Sequence, residues 1–249
     1  SKKAVEGCGV IRVQSSGMGL NSVAASEVLA YKAKIVFADT GGEMPETYDY
    51  LDYYQKIHPV TVIKTPVNGV NDCKGRQFVT LEDYCLAHRT PPMKKYRWCT
   101  DRFKTQRLED YYKSLGEGEI TVYIGYAYDE RHRIKVYELG RFIYEYPLVD
   151  QGITRDKCVE VIKEAGLRVP SKSGCFFCPF QRKQSWLRLL RNHPDLYDRA
   201  VVLDKLTPCV RLCYGGLSRL RGRVVKGLEQ TSLVEEDEGW ECNFCMVVK

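Results

Sequence analysis

The chain has 249 residues, 44% of them hydrophobic, and a formal net charge of +6. That is enough for one sizeable core, or a core with a small appendage. No apolar run reaches the roughly 20 residues that cross a bilayer, and the opening stretch SKKAVEGCG lacks the apolar segment of a secretory leader, so a cytoplasmic protein with no membrane partner is expected.

The first half alternates strand and helix patterns. Residues 10–14 (VIRVQ) read as a strand, Ser22 to Tyr31 as a helix and 34–39 (KIVFAD) as a buried strand. Pro45 suits a first helical position, with Glu46 in the first turn, and that helix is expected to run to about His58. A strand at 60–65, helices at Leu81–His88 and Asp101–Leu115, and a strand at 120–127 follow. Strands separated by single helices imply an α/β, doubly wound, mostly parallel sheet. After Pro147 the texture turns helical, with patterns at Arg155–Ala165, Arg182–Asn192 and Asp195–Lys205. The expected division is a nucleotide-binding α/β domain over 1–147 and a helical, cysteine-rich C-terminal extension over 148–249.

The first strand runs straight into Ser15-Ser16-Gly17-Met18-Gly19-Leu20-Asn21-Ser22 and then a helix. In an open parallel sheet, ligands sit beyond the carboxyl ends of the strands. Gly17 and Gly19 let backbone approach an anion, while Ser15, Ser16 and Ser22 offer hydroxyls and the helix start offers its positive end. A plain strand–helix turn would use the same glycines. No Gly-Lys-Ser/Thr follows, so this is not a P-loop. At the end of the next strand, Asp39 and Thr40 stand where a nucleoside could be gripped.

Eleven cysteines in a chain with no secretion signal point to metal or redox chemistry rather than to staples. Cys175-Phe-Phe-Cys178-Pro179 brings two sulfurs within reach of one metal, and Cys242-Cys245 repeats the spacing near the end. Cys209 and Cys213 are four apart. Cys8, Cys73, Cys85 and Cys158 are isolated and read as small apolar residues. The segment 211–226 carries Arg211, Arg219, Arg221, Arg223 and Lys226 with no acid, which suits either a phosphate backbone or a solvated face. The four histidines are scattered and read as surface or capping residues.

Four stretches in order carry a resemblance: Ser15–Ser22, Asp39-Thr40-Gly41 through Pro45-Glu46-Thr47, Trp98-Cys99 through Lys104, and Gly125 through Arg133. Together they resemble the adenine-nucleotide alpha-hydrolase group, which holds the PAPS/APS reductases and N-type ATP pyrophosphatases, and within it a phage-associated branch. The chain is also similar to the ATP-pyrophosphatase component of DNA phosphorothioation systems. Two departures stand out: Asn21 replaces the usual aspartate, and Ala127 replaces a phosphate- or sulfate-gripping arginine.

The resemblance implies an ATP-dependent adenylating sulfurtransferase, with ATP and Mg2+ at Ser15, Ser16, Gly17, Gly19, Ser22, Asp39 and Thr40. It implies roles for Asn21, Glu130 and Arg133 in orienting substrate or phosphate, and a faint echo of a reductase tail thiol at Cys242. A [4Fe–4S] cluster on Cys99, Cys175, Cys178 and Cys209 is implied, with Cys213 as an alternative fourth ligand and an open iron or a zinc site as the other possibilities. The acceptor implied is a nucleic acid, DNA or tRNA, with a sulfur donor such as a cysteine desulfurase and possible partner subunits. Two rivals remain: a sulfonucleotide reductase, and a non-catalytic nucleotide- and cluster-binding subunit of a DNA-modification or defence complex.

Overall fold

The computed structural model describes residues 10–64, 70–71, 74–134, 140–208, 210–213 and 215–227. Its order is β1 (Ile11–Ser16), α1 (Leu20–Val28), β2 (Lys34–Asp39), α2 (Pro45–Gln55), β3 (Val60–Lys64), β4 (Val70–Asn71), β5 (Gln77–Phe78), α3 (Leu81–His88), α4 (Trp98–Thr100), a π-helical turn (Asp101–Thr105), α5 (Gln106–Ser114) and β6 (Ile120–Ile124). A 3₁₀ turn (Tyr128–Arg133), β7 (Phe142–Glu145), α6 (Pro147–Asp150), α7 (Arg155–Glu164), α8 (Lys183–Asn192), α9 (Pro194–Asp204) and α10 (Leu217–Val225) follow. Among the described residues no helix is long and apolar enough to cross a membrane.

Five strands form one parallel sheet in the order β3-β2-β1-β6-β7, and β4 and β5 make a small antiparallel pair. The α/β expectation is met. The edge strand β7 went unread in the sequence: it is four residues long and half-exposed, so its hydrophobic signal is weak. The chain leaves β1 toward β2 and β3 on one side and returns to β6 and β7 on the other, so the topological switch lies between β1 and β6.

Strand periodicity sorts the core onto two faces. Ile35 and Phe37 of β2 join Val23, Tyr54, Leu148 and Ile162 on one face. Val36 and Ala38 join Val13, Leu108, Tyr112 and Val122 on the other. Cys158 and Ile162 of α7 thus share a core with α1 and β2, so the first part of the cysteine-rich half packs as a layer of the sheet. A third cluster gathers Phe176, Phe177, Trp186 and Tyr197 around Tyr84 and Phe103. Each such side chain contributes about 1.5–3 kcal/mol on burial, which fixes α8 and α9 beside α3.

Local chemistry sets the ends of the helices. Pro45 opens α2 with Glu46 in its first turn. The Thr80 hydroxyl caps α3 by accepting from the Asp83 N–H at 3.1 Å. α1 starts at Leu20, two residues before the expected Ser22, and stops at Val28 because Ala30 and Tyr31 take left-handed φ angles of 46° and 57°. The helical path from Trp98 to Ser114 passes through the π turn, an irregularity found often at functional sites. Here the turn carries Lys104, which reaches the buried carboxylate of Glu43.

Candidate functional site

The glycine loop lies at the switch point, where β1 hands over to α1. Its serines shape the loop before they can serve a ligand. Ser16 Oγ accepts from the Met18 N–H at 3.2 Å, and Ser22 Oγ accepts from the Gly19 N–H at 3.2 Å while donating to the Gly19 carbonyl at 3.0 Å. Ser15 is buried beside Tyr112. What faces a ligand is therefore backbone: the first-turn N–H groups of α1, which no helical carbonyl satisfies. Gly19 has a second reason to be glycine, since a Cβ there would meet Ser173 Oγ at 2.5 Å. The segment before the cysteine knuckle thus rests on the loop and forms its wall.

Across the switch, β6 exits through Gly125, where a Cβ would meet the Asn21 carbonyl oxygen at 2.7 Å and Ser22 Cα at 2.8 Å. That backbone-on-backbone contact brings the 3₁₀ turn against α1. Asn21 Nδ2 donates to Glu130 Oε2 at 2.6 Å, and Arg133 Nη1 donates to Glu130 Oε1 at 2.5 Å. The Arg133 guanidinium stacks 4.2 Å from the Tyr126 ring centroid. Burial raises the Tyr126 phenol pKa, and Arg133 pulls against that. The expected Asn21, Glu130 and Arg133 therefore form one chain of contacts. With its amide nitrogen held by Glu130, Asn21 is left with a buried Oδ1 that has no hydrogen-bond partner.

The second motif works differently. Asp39 Oδ1 accepts from the Gly41 N–H at 2.8 Å and the Tyr48 hydroxyl at 2.7 Å, so it closes the turn after β2. Thr40 is fully buried, and its hydroxyl lies 3.2 Å from Glu43 Oε1 and 3.5 Å from Cys175 Sγ. Glu43 Oε1 also accepts from Lys104 Nζ at 2.8 Å and lies 3.6 Å from Cys175 Sγ. Backbone bonds from Met44 N to the Gly174 carbonyl and from Phe176 N to the Gly42 carbonyl, both 2.9 Å, tie the knuckle to this turn. The Gln181 amide donates to the Cys175 and Phe176 carbonyls at 3.1 and 2.7 Å and holds the knuckle from behind.

A cleft of about 70 Å³ opens at this junction, lined by Met44, Glu46, Ser173, Cys175, Ser185 and Arg188 among others. It has room for a few water-sized groups and not for a nucleoside. Glu46 Oε2 and Arg188 Nη2 are buried there without hydrogen-bond partners, and Lys172 Nζ donates to Ser185 Oγ at 3.3 Å. A small anion held by Arg188 and Lys172 suits this lining. A shallower hollow lined by Glu109, Lys113, Arg141 and Phe142 lies beside β7 and gathers no such set.

The metal expectation fares less simply. Among the described residues no three of His, Cys, Asp and Glu come together to hold a metal ion. Cys175 sits with Glu43 and Thr40, Cys178 closes the knuckle turn through its N–H to the Cys175 carbonyl at 3.1 Å, and Cys99 packs near Cys85. Cys209 and Cys242 lie outside the described residues. Among the described residues the thiols alone do not assemble a ligand set, Cys209 of the expected four lies outside them, and no chemical step below runs through a cluster or a zinc ion. Mg2+ needs no protein cage, because it binds largely through substrate phosphates and water.

Sequence reasoning missed Glu43, Lys104 and Arg188 as site residues. Glu43 lies inside the Asp39–Thr47 motif and Lys104 inside the Cys99 motif, so both could have been singled out by the rarity of buried charge. Two histidines are as expected, His132 exposed and His193 at the caps between α8 and α9, whereas His58 and His88 pack on aromatic rings. His58 stacks on Tyr31 at 3.8 Å, His88 stacks on Tyr84 at 4.2 Å, and His193 Nε2 lies 2.7 Å from Glu46 Oε1. The cation-rich segment divides: Arg211 donates to the Asp204 and Thr207 carbonyls at 2.9 and 2.6 Å, and Arg221 pairs with Asp198 at 2.5 Å.

No protein-family model matches the chain. An uncharacterised protein of Methanocaldococcus jannaschii is 22% identical over 213 residues, which cover 76% of this chain and 46% of that protein. The chain thus spans less than half the length of the curated relative it matches. Among solved structures, a phosphate complex of phosphoadenylyl-sulfate (PAPS) reductase from Candida auris superposes with a TM-score of 0.48 at 16% identity, over 66% of this chain and 76% of that one.

Proposed function

We propose that the chain binds an adenine nucleotide across the β1–β6 switch and uses it to activate an acceptor for sulfur transfer, as an ATP pyrophosphatase of the sulfurtransferase kind. The observation that carries this reading is the contact of Ser173 with Gly19, which joins the glycine loop to the segment bearing Cys175. A phosphate-type loop and a thiol-lined cleft are thereby neighbours.

In this reading the N-terminal turn of α1 takes the β- and γ-phosphates, and Asn21 Oδ1 accepts a hydrogen bond from the substrate. Arg188 and Lys172 hold a small anionic group in the cleft. An acceptor oxygen bonds to the α-phosphorus as the bond to pyrophosphate breaks. The terminal sulfur of a persulfide, supplied by a donor such as a cysteine desulfurase, then bonds to the acceptor as the bond to AMP breaks. The acceptor–donor disulfide so formed is cleaved by a dithiol reductant, which leaves the sulfur on the acceptor, frees the donor thiol and is itself oxidised to a disulfide. Positioning and charge stabilisation carry the catalysis. The acceptor proposed is a nucleic acid.

The test is pyrophosphate release by purified protein with ATP and Mg2+, with and without nucleic acid. Release that nucleic acid stimulates is the expected result. ATP binding with no release would make the chain a binding subunit. Sulfite release from PAPS with thioredoxin, at undiminished rate in the absence of ATP, would replace this reading with the reductase. Iron and acid-labile sulfide assayed on anaerobically purified protein test the cluster independently.

A further inference from the structure

We infer that a surface beside the nucleotide crevice, built from residues 93–97 and 180–183, binds single-stranded nucleic acid. This deepens the proposed function by naming the form of its acceptor.

The surface is absent from any single stretch of sequence. Between Arg89 and Lys104 the chain carries six cations and one acid, Asp101; between Phe180 and Arg191 it carries four cations and no acid. Folding brings these two runs together. Lys94 Nζ lies 5.8 Å and the Arg97 guanidinium 5.3 Å from the Phe180 ring centroid, so two cations gather at one aromatic ring. Arg182 and Lys183 follow Phe180 after Gln181, at the start of α8, which brings two further cations to the same place. Lys94, Lys95, Arg182 and Lys183 are exposed.

Tyr96 decides the kind of partner. It is 65% exposed in the middle of this positive field, with Lys95 Nζ 5.3 Å from its ring centroid. A tyrosine held out among lysines offers a π-face, which unpaired bases can stack on and a closed duplex cannot. The cations supply the phosphate contacts that an aromatic platform lacks. The patch also leads into the crevice: Arg97, which flanks Phe180, acts on the Tyr126 phenol that stacks with Arg133.

Fluorescence anisotropy with labelled 20-mer DNA and RNA, single-stranded and duplex, tests this without any nucleotide present. Lys94→Glu/Lys95→Glu is expected to weaken single-strand binding at least tenfold and to flatten the salt dependence by roughly 1.4 in log–log slope, two phosphates' worth. Tyr96→Ala is expected to weaken it about tenfold and to leave duplex binding unchanged. Lys56→Glu, exposed at the end of α2, serves as control. An equal loss in Lys56→Glu, wild-type affinity in the double variant, or a neutral Tyr96→Ala with inorganic polyphosphate competing fully would overturn the inference. Because ATP is absent, its failure leaves the adenine-nucleotide reading standing, and a failure to bind ATP leaves this surface standing.

Discussion

The two halves of the site are built in opposite ways. At the β1–α1 junction, Ser16, Met18, Gly19 and Ser22 bond to one another within seven residues, which leaves backbone N–H groups and Asn21 Oδ1 for a ligand. At the cleft, the contacts span the chain: Glu43 meets Lys104 and Cys175, 61 and 132 positions away. The first half is a shape set by local hydrogen bonds. The second is a set of charges and a thiol held by packing. Its members therefore depend on the whole fold, and the fold depends on them in turn.

The largest effect is expected where that dependence is strongest. Glu43 and Lys104 have side chains only 2% and 12% exposed. Lys104→Ala leaves the Glu43 carboxylate buried without its cation and is expected to cost about 3–5 kcal/mol in urea unfolding, most of it regained in Glu43→Gln/Lys104→Met. A loss below about 1 kcal/mol would show that the pair behaves as a surface contact and would dissolve the contrast between the halves.

The switch-point half should respond in binding and barely in stability. Asn21→Asp sets a carboxylate against Glu130 Oε2, where an amide now donates at 2.6 Å. The expectation is ~10-fold weaker ATP binding by titration calorimetry, restored when Glu130→Gln is added. If Asn21→Asp binds ATP as well as wild type, the Asn21–Glu130 contact has no part in shaping the site.

The smallest effect is a labelling difference. Cys85 and Cys158 are fully buried, and burial pushes the Cys85 thiol well above its ordinary value and the Cys158 thiol up to about 12. Cys175 and Cys178 are half-exposed at the cleft and knuckle. Iodoacetamide at pH 8, read by mass spectrometry, is expected to label the latter two and spare the former two. Equal labelling of Cys158 and Cys178 in folded protein would contradict the assignment of one pair to the core and the other to the site.

The sequence by itself determined the parallel α/β class, the order of β1, β2, β3 and β6, and the loops on which the site is built, because strand and helix periods and terminal residues such as Pro45 act locally. It also placed Asn21, Glu130 and Arg133 as candidates, though not their contact, which depends on two backbones meeting at Gly125. It did not show the contacts that the hydroxyls make within the protein. Thr40 was expected to grip a nucleoside and is buried against Cys175; Ser16 and Ser22 brace their own loop. Only the tertiary structure decided the Glu43–Lys104–Cys175 cluster, the cleft with Arg188 and the meeting of Lys94 with Phe180. The physical reason is range. Turn and helix signals are written in neighbouring residues, whereas a buried charge finds its partner only after apolar packing has closed the distance between them.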